Sequence, residues 1–308
     1  MPINTITIEL TNRCDLNCKF CVPQKKSDLK FSTFKHIVKE SQKIDPAVKH
    51  FEFGYSGNPF MYKRFTDVLG LLKKNGIGAN VVTNGFNLKW NLGFIDDKLL
   101  KNISFSVYLE SGDEAKCDMF SGVKKYYRKT IEAMEYMNAR GIPWSIFMRV
   151  TSLNYQEIEG MLEILKFYNG GNLFPIEVFP YTDESLVLTD EMKKEVINKI
   201  VSLMNYGERI KQVIQFSEVA GNCSYQRMDR LFINSQGKVG FCHFLTPIAS
   251  EMFDVKRLKL SNLIVKNNKV RVEYLKEKGK ELNSWERPRE TVSPCSYCLH
   301  HFGENKNW

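Results

Sequence analysis

Residues 4–10 (NTITIEL) alternate polar with branched apolar side chains, the period-two pattern of a strand. Similar runs recur at 49–53 (KHFEF), 81–85 (VVTNG, ending in a turn), 103–109 (ISFSVYL), 144–152 (WSIFMRVTS) and 174–181 (FPIEVFPY). Between them, residues 33–43, 65–75, 126–140 and 155–168 carry apolar positions at helical spacing, and Asn75-Gly76 closes the second of these stretches. Strand and helix alternating through six units predict parallel βα units. Six units over about 185 residues fall short of an eight-fold barrel, so the expected α/β fold is a partial, open (β/α)6 TIM-like barrel.

The pattern then changes. Residues 188–206 read as a connecting helix. RLFINSQGKVGFCHF reads as a hairpin turning at Gln236-Gly237, followed by a Lys-rich segment and SPCSYC. The expected organisation is a barrel over 1–187, a connection over 188–214 and a small second domain over 215–308.

Composition is that of a globular protein, with 43% hydrophobic and 26% charged residues. Neither an apolar run long enough to span a membrane nor a secretion signal is evident, so a cytoplasmic protein is expected. Net charge is +9, but the basic residues are scattered, and the densest stretch, 256–289, interleaves them with Glu. That argues against a nucleic-acid partner.

Polar or Gly-rich residues follow the strands: Asn12-Arg13-Cys14, Ser56-Gly57-Asn58, Thr83-Asn84-Gly85 and Glu110-Ser111. Parallel sheets place their chemistry at these C-terminal ends. Eight cysteines are present, and Cys14, Cys18 and Cys21 fall within eight residues. In a cytosolic chain such clustering points to metal rather than disulfides. Structural zinc wants four ligands, so three thiols suit a zinc site completed from elsewhere, or a cubane with one iron left open. Cys223, Cys242, Cys295 and Cys298 offer four ligands for a closed site, zinc or a fully ligated cubane, which spacing alone does not separate.

Cys14-x3-Cys18-x2-Cys21, with Phe20 before the last cysteine, resembles the signature of radical S-adenosylmethionine (radical SAM) enzymes over residues 4 to about 190. The resemblance implies a partial (β/α)6 barrel and a [4Fe–4S] cluster on three cysteines whose open iron chelates SAM. It also implies reductive cleavage to a 5′-deoxyadenosyl radical, and a flavodoxin- or ferredoxin-type electron donor. By the same resemblance Ser56, Gly57, Asn58 and Pro59 sit where the family holds the SAM amino group, with Ser and Asn departing from its Gly-Gly-Glu-Pro pattern. Thr83 and Asn84 resemble the polar turn after the third strand. Ser106 resembles a contact to the SAM ribose or carboxylate, Arg149 suits a carboxylate, and Phe20 is expected near the adenine. NCSYQRMDRLFINSQGKVGFC with PCSYC resembles a twitch domain, a shorter relative of SPASM, which implies an auxiliary [4Fe–4S] cluster on Cys223, Cys242, Cys295 and Cys298. This layout is similar to that of aminocyclitol (2-deoxy-scyllo-inosamine) dehydrogenase-type members.

The expected activity is therefore a radical SAM oxidoreductase acting on a small molecule (a sugar, aminocyclitol or nucleoside), with the auxiliary cluster accepting an electron. Glu110 and Arg149 are the catalytic candidates, with Glu177 and Asp183 as further acids or bases. The barrel pattern starts near residue 1, leaving little space for a peptide-recognition domain, which favours a small substrate. The alternative is a maturase that cross-links or epimerises a ribosomal peptide. Cys117 is left over, as a structural thiol or a hydrogen donor.

Overall fold

A computed structural model describes residues 3–21, 26–177, 183–211, 229–240, 253–257, 259–266 and 268–269. Six strands alternate with helices: β1 (Thr5–Ile8), β2 (His50–Phe53), β3 (Gly78–Thr83), β4 (Ile103–Tyr108), β5 (Trp144–Val150) and β6 (Leu173–Glu177). They pair in parallel in chain order, in the register Thr5↔His50, Phe51↔Ala79, Val81↔Phe105, Val107↔Ile146 and Phe147↔Phe174. The helices are α1 (Phe31–Ser41), α2 (Phe65–Lys74), α3 (Leu88–Gly93), α4 (Asp97–Leu100), α5 (Glu114–Ser121), α6 (Tyr126–Ala139), α7 (Ile158–Phe167) and α8 (Asp190–Asn205). The expected α/β architecture of parallel βα units is present, with α8 as the helix expected at 188–206. The region expected as one helix at 155–168 begins instead with a 3-10 turn, Tyr155–Glu157.

Side-chain alternation assigns the two faces of the sheet. Ile6, Ile8, Phe51, Phe53, Val81, Phe105, Val107, Ile146 and Met148 join the large core against the helices. Their neighbours Val82, Tyr108, Phe147 and Ile176 form a separate cluster on the inner face. There Phe147 meets Tyr108 at 5.7 Å and Phe174 at 5.2 Å between ring centroids. These are contacts between register partners on neighbouring strands, and they line the face of the sheet opposite the helices, the inner face of a partial barrel.

The hairpin consists of β7 (Arg230–Ile233) and β8 (Lys238–Gly240), followed by β9 (Phe253–Asp254). It continues the barrel's own sheet: β7 pairs in parallel with β1, Thr5 opposite Arg230 and Ile8 opposite Ile233, while β8 and β9 pair antiparallel beyond it. β1 is therefore an interior strand, hydrogen-bonded on both sides. Inside the barrel, Arg230 ion-pairs with Glu52, which also accepts from the Thr7 hydroxyl at 3.2 Å.

Candidate functional site

A cavity of about 350 Å³ opens at the C-terminal ends of the strands. Its wall includes Cys14, Cys18 and Cys21 from the loop after β1, the Ser56-Gly57-Asn58 turn after β2, and Thr83-Asn84 after β3. Tyr108 of β4 and Arg149 of β5 complete the far side. The volume lies in the range of small-ligand and cofactor sites.

The three thiols are unbridged. The Cys21 N–H donates to the Cys18 carbonyl at 3.1 Å, a tight turn that brings their side chains together. The neighbouring Cys18 thiol pulls Cys21 down to about 7, and the same contact pushes Cys18 up. The thiolate is the form that ligates metal, and the lowered pKa favours it at Cys21. Among the described residues, no three His, Cys, Asp or Glu side chains converge as the ligands of one bare ion do. Three cysteine thiols on one loop are a donor set that fits an iron–sulfur cluster.

A carboxamide network braces the loop. Asp15 Oδ1 accepts from Asn84 Nδ2 at 2.7 Å and Asn58 Nδ2 at 3.0 Å, and Asp15 Oδ2 accepts from Asn87 Nδ2 at 2.8 Å. Asn84 Nδ2 also lies 3.5 Å from Cys14 Sγ. The Asn58 amide is consumed here, with Nδ2 also donating to Asn84 Oδ1 at 3.1 Å and Oδ1 accepting from Thr83 Oγ1 at 3.0 Å. The backbone closes the same contact, Asn58 N–H donating to Arg13 O at 2.8 Å. Only glycine fits at 57: a Cβ would stand 2.6 Å from Arg13 O and 2.7 Å from Asn12 Cα.

On the opposite wall, Arg149 is held by the Glu110 carboxylate and sandwiched between aromatic rings, 3.4 Å from the Tyr108 centroid and 4.8 Å from that of Phe20. Glu110 is 1% exposed, and Tyr126 Oη donates to it at 3.4 Å. Burial pushes the Glu110 carboxyl up, and Arg149 opposes the rise. Glu110 thus serves Arg149 from behind the wall rather than facing the cavity.

The remaining expected residues fall less centrally. Phe20 packs on Phe120 at 6.3 Å. Pro59 is buried at the start of a 3-10 turn. Ser106 hydrogen-bonds Asn80, deeper on the inner face. Glu177 accepts from Lys193 Nζ of α8 on its two oxygens, at 2.9 and 3.0 Å, and Asp183 caps the turn at Ser185. Neither is placed as a base for the cavity. Cys117 is fully buried, its thiol donating to Ser111 O at 3.1 Å. Cys223, Cys242, Cys295 and Cys298 lie outside the described residues.

Sequence reasoning missed two carboxylates. Asp15 lies inside the cysteine signature itself. Glu9, just after β1, is 1% exposed, taking the Ser56 hydroxyl on Oε1 and the Ser235 N–H on Oε2 at 3.4 Å. Burial raises its pKa to about 7. The polar phase of the alternation, Thr5, Thr7, Glu9, was the available signal.

A curled parallel sheet with three free thiols at its C-terminal mouth defines a metallocluster enzyme of the barrel type. The family model for the radical SAM superfamily matches residues 8–165, and the chain belongs to that superfamily, whose members carry a [4Fe–4S] cluster and SAM. Among curated proteins, it is 30% identical to the tungsten-containing aldehyde ferredoxin oxidoreductase cofactor-modifying protein of Pyrococcus furiosus, over 32% of this chain and 26% of that protein. It is 22% identical to the PqqA peptide cyclase of Gluconobacter oxydans, over 56% of this chain and 48% of the cyclase. The chain thus spans between a quarter and a half of the length of these relatives. Among solved structures, Streptococcus suis SuiB bound to the precursor peptide SuiA matches with a TM-score of 0.68 at 15% identity, over 85% of this chain and 64% of SuiB. That likeness is one of fold. Among the described residues, no helix is long and apolar enough to cross a membrane.

Proposed function

We propose that this protein is a peptide-modifying radical SAM maturase, with Cys14, Cys18 and Cys21 holding three corners of the cluster and the cavity beside them receiving SAM and substrate. The observation that carries the chemistry is three free thiols on one loop lining a cavity that also exposes Arg149. PqqA peptide cyclases recur among the curated relatives and supply the substrate class. They favour it over the small-molecule oxidation expected from sequence.

The bound cluster and SAM together supply hydrogen-atom abstraction from an unactivated C–H bond. The chain's own part is placement. Gly57 lets the turn after β2 reach the cysteine loop, and Asp15 fixes Asn58, Asn84 and Asn87 around Cys14. Arg149, oriented by Glu110 and the rings on either side, offers its remaining N–H groups to a carboxylate. An auxiliary cluster on Cys223, Cys242, Cys295 and Cys298 belongs to this reading through the resemblance of that segment to a twitch domain.

The test is anaerobic purification, iron and sulfide counting, then reduction with SAM present. About eight irons are expected with both clusters, and about four with the first alone. 5′-Deoxyadenosine should form, and should vanish when Cys14, Cys18 and Cys21 are replaced by Ala. Turnover stimulated by sugars or aminocyclitols and never by peptides would return the reading to small-molecule oxidation.

A further inference from the structure

Asn84 stands in the turn after β3, and the backbone there is tightly held. Gly85 follows at φ +80°, where a Cβ would lie 2.8 Å from Val107 Cγ1 and 2.9 Å from Thr130 Cγ2. The Gly85 N–H donates to Thr83 Oγ1 at 3.3 Å, and Thr130 Oγ1 of α6 donates to the Asn84 carbonyl at 3.4 Å. The Asn84 side chain leaves this turn toward the cysteine loop and is 5% exposed.

Its carboxamide has one satisfactory orientation. Oδ1 accepts from the Phe86 N–H at 3.1 Å and from Asn58 Nδ2 at 3.1 Å. Exchanging the two ends would set N–H groups against those donors and Oδ1 against the Asp15 carboxylate. Nδ2 therefore faces the loop, with two N–H groups for two acceptors: Asp15 Oδ1 at 2.7 Å and Cys14 Sγ at 3.5 Å. Cys14 Sγ lies 3.9 Å from that same Asp15 oxygen. Once Cys14 ligates metal as a thiolate, the amide bridges two anions that otherwise repel each other.

Negative charge on a cluster's sulfur ligands grows when the cluster takes an electron. An N–H donated to such a sulfur therefore favours the reduced form and raises the potential. We propose that Asn84 is a positioning residue for the redox centre: its N–H to Cys14 Sγ holds the reduction potential of the loop's cluster above the value that the thiolates and Asp15 alone would set. The step concerned adds one electron to the cluster, supplied by the reductant, and breaks no bond. This rests on the reading that Cys14, Cys18 and Cys21 hold an iron–sulfur cluster.

The experiment is a dye-mediated reductive titration of the anaerobically reconstituted full chain, without SAM, followed by electron paramagnetic resonance. The loop cluster's signal is the one missing from the Cys14→Ala/Cys18→Ala/Cys21→Ala variant. At the midpoint potential of the unmutated protein, Asn84→Ala should shift the oxidised-to-reduced ratio about threefold or more toward the oxidised form, equivalent to about 30 mV at about 59 mV per tenfold change for one electron. Asn87→Ala, which takes an amide from the same Asp15 carboxylate, should leave the midpoint unchanged. A reading that needs no variant comes from unmutated protein carrying asparagine labelled with the heavy nitrogen isotope, in which pulsed resonance should show a nitrogen coupled to the reduced cluster. An unshifted midpoint in Asn84→Ala overturns the proposal. So does an equal shift in Asn87→Ala, which would assign the effect to Asp15. Where Asn84→Ala fails to load iron, absence of the nitrogen coupling overturns it. Absence of any loop signal in the unmutated protein is a separate result, and it refutes the cluster reading instead.

Discussion

The Arg149 guanidinium lies 3.4 Å from the Tyr108 ring centroid while Nη1 is ion-paired with Glu110 Oε1. A cation shared between a π-face and a buried carboxylate has one orientation. Glu110→Gln leaves that charge poorly compensated and should cost about 2–3 kcal/mol. Arg149→Met combined with Glu110→Gln should recover part of the loss. Urea denaturation of the single and double variants gives the coupling, and strict additivity would mean that the pair is not an energetic unit.

Glu9 provides a pH handle. Its folded pKa, about 7, lies above the usual carboxylate value, so the folded state holds the proton more tightly than the unfolded state. Its protonated form is favoured below the unfolded value, and the contribution declines as pH rises from about 4.5 to 7. Glu9→Gln mimics the protonated acid. It should stabilise the protein at pH 8 by up to about 3 kcal/mol and change little at pH 4. Unfolding free energies at the two pH values decide it; equal effects at both would contradict the assignment.

Gly57→Ala places a methyl group against the backbone of Asn12 and Arg13, which has no flexible end to yield. The cysteine loop must shift. Iron retention after anaerobic reconstitution should fall severalfold, with a lowered melting temperature. Full iron retention would show that the two turns are not held as described.

Removing the Asp15 carboxylate with Asp15→Ala strands three amide N–H groups at once. A cost of about 1–3 kcal/mol is expected. Hydrogen exchange should quicken around residues 12–18 and 83–88 while β4 and β5 stay protected. Uniform exchange across the sheet would instead point to global destabilisation.

Cys117→Ala should leave 5′-deoxyadenosine and product formation intact, because the thiol is buried and turned toward Ser111 O. Stability should drop by about 1 kcal/mol. A variant that cleaves SAM but accumulates a quenched or unfinished product would revive the hydrogen-donor role.

The six strands and their order were legible because each carried a period-two pattern bounded by turn residues. The short helices α3 and α4 were not: α3 carries the exposed Trp90, which breaks its apolar spacing, and α4, at four residues, is too short to show a period. The three-cysteine signature announced itself by spacing. Asp15 did not, because a lone acid among cysteines has no period; its meaning comes from Asn58, Asn84 and Asn87 converging from two other loops. The hairpin was visible as a hairpin, but its parallel partner lies more than two hundred residues earlier, beyond any local pattern.

That partnership orders events during synthesis. β1 emerges early yet keeps one row of backbone groups uncovered until residues 230–233 arrive to match Thr5–Ile8. Until then the strand that launches the cysteine loop is a naked edge, open to pairing with another chain. Fragments stopped short of residue 229 should therefore self-associate through their amino-terminal strand, and assembly of the thiol pocket should await the closing of this distant seam.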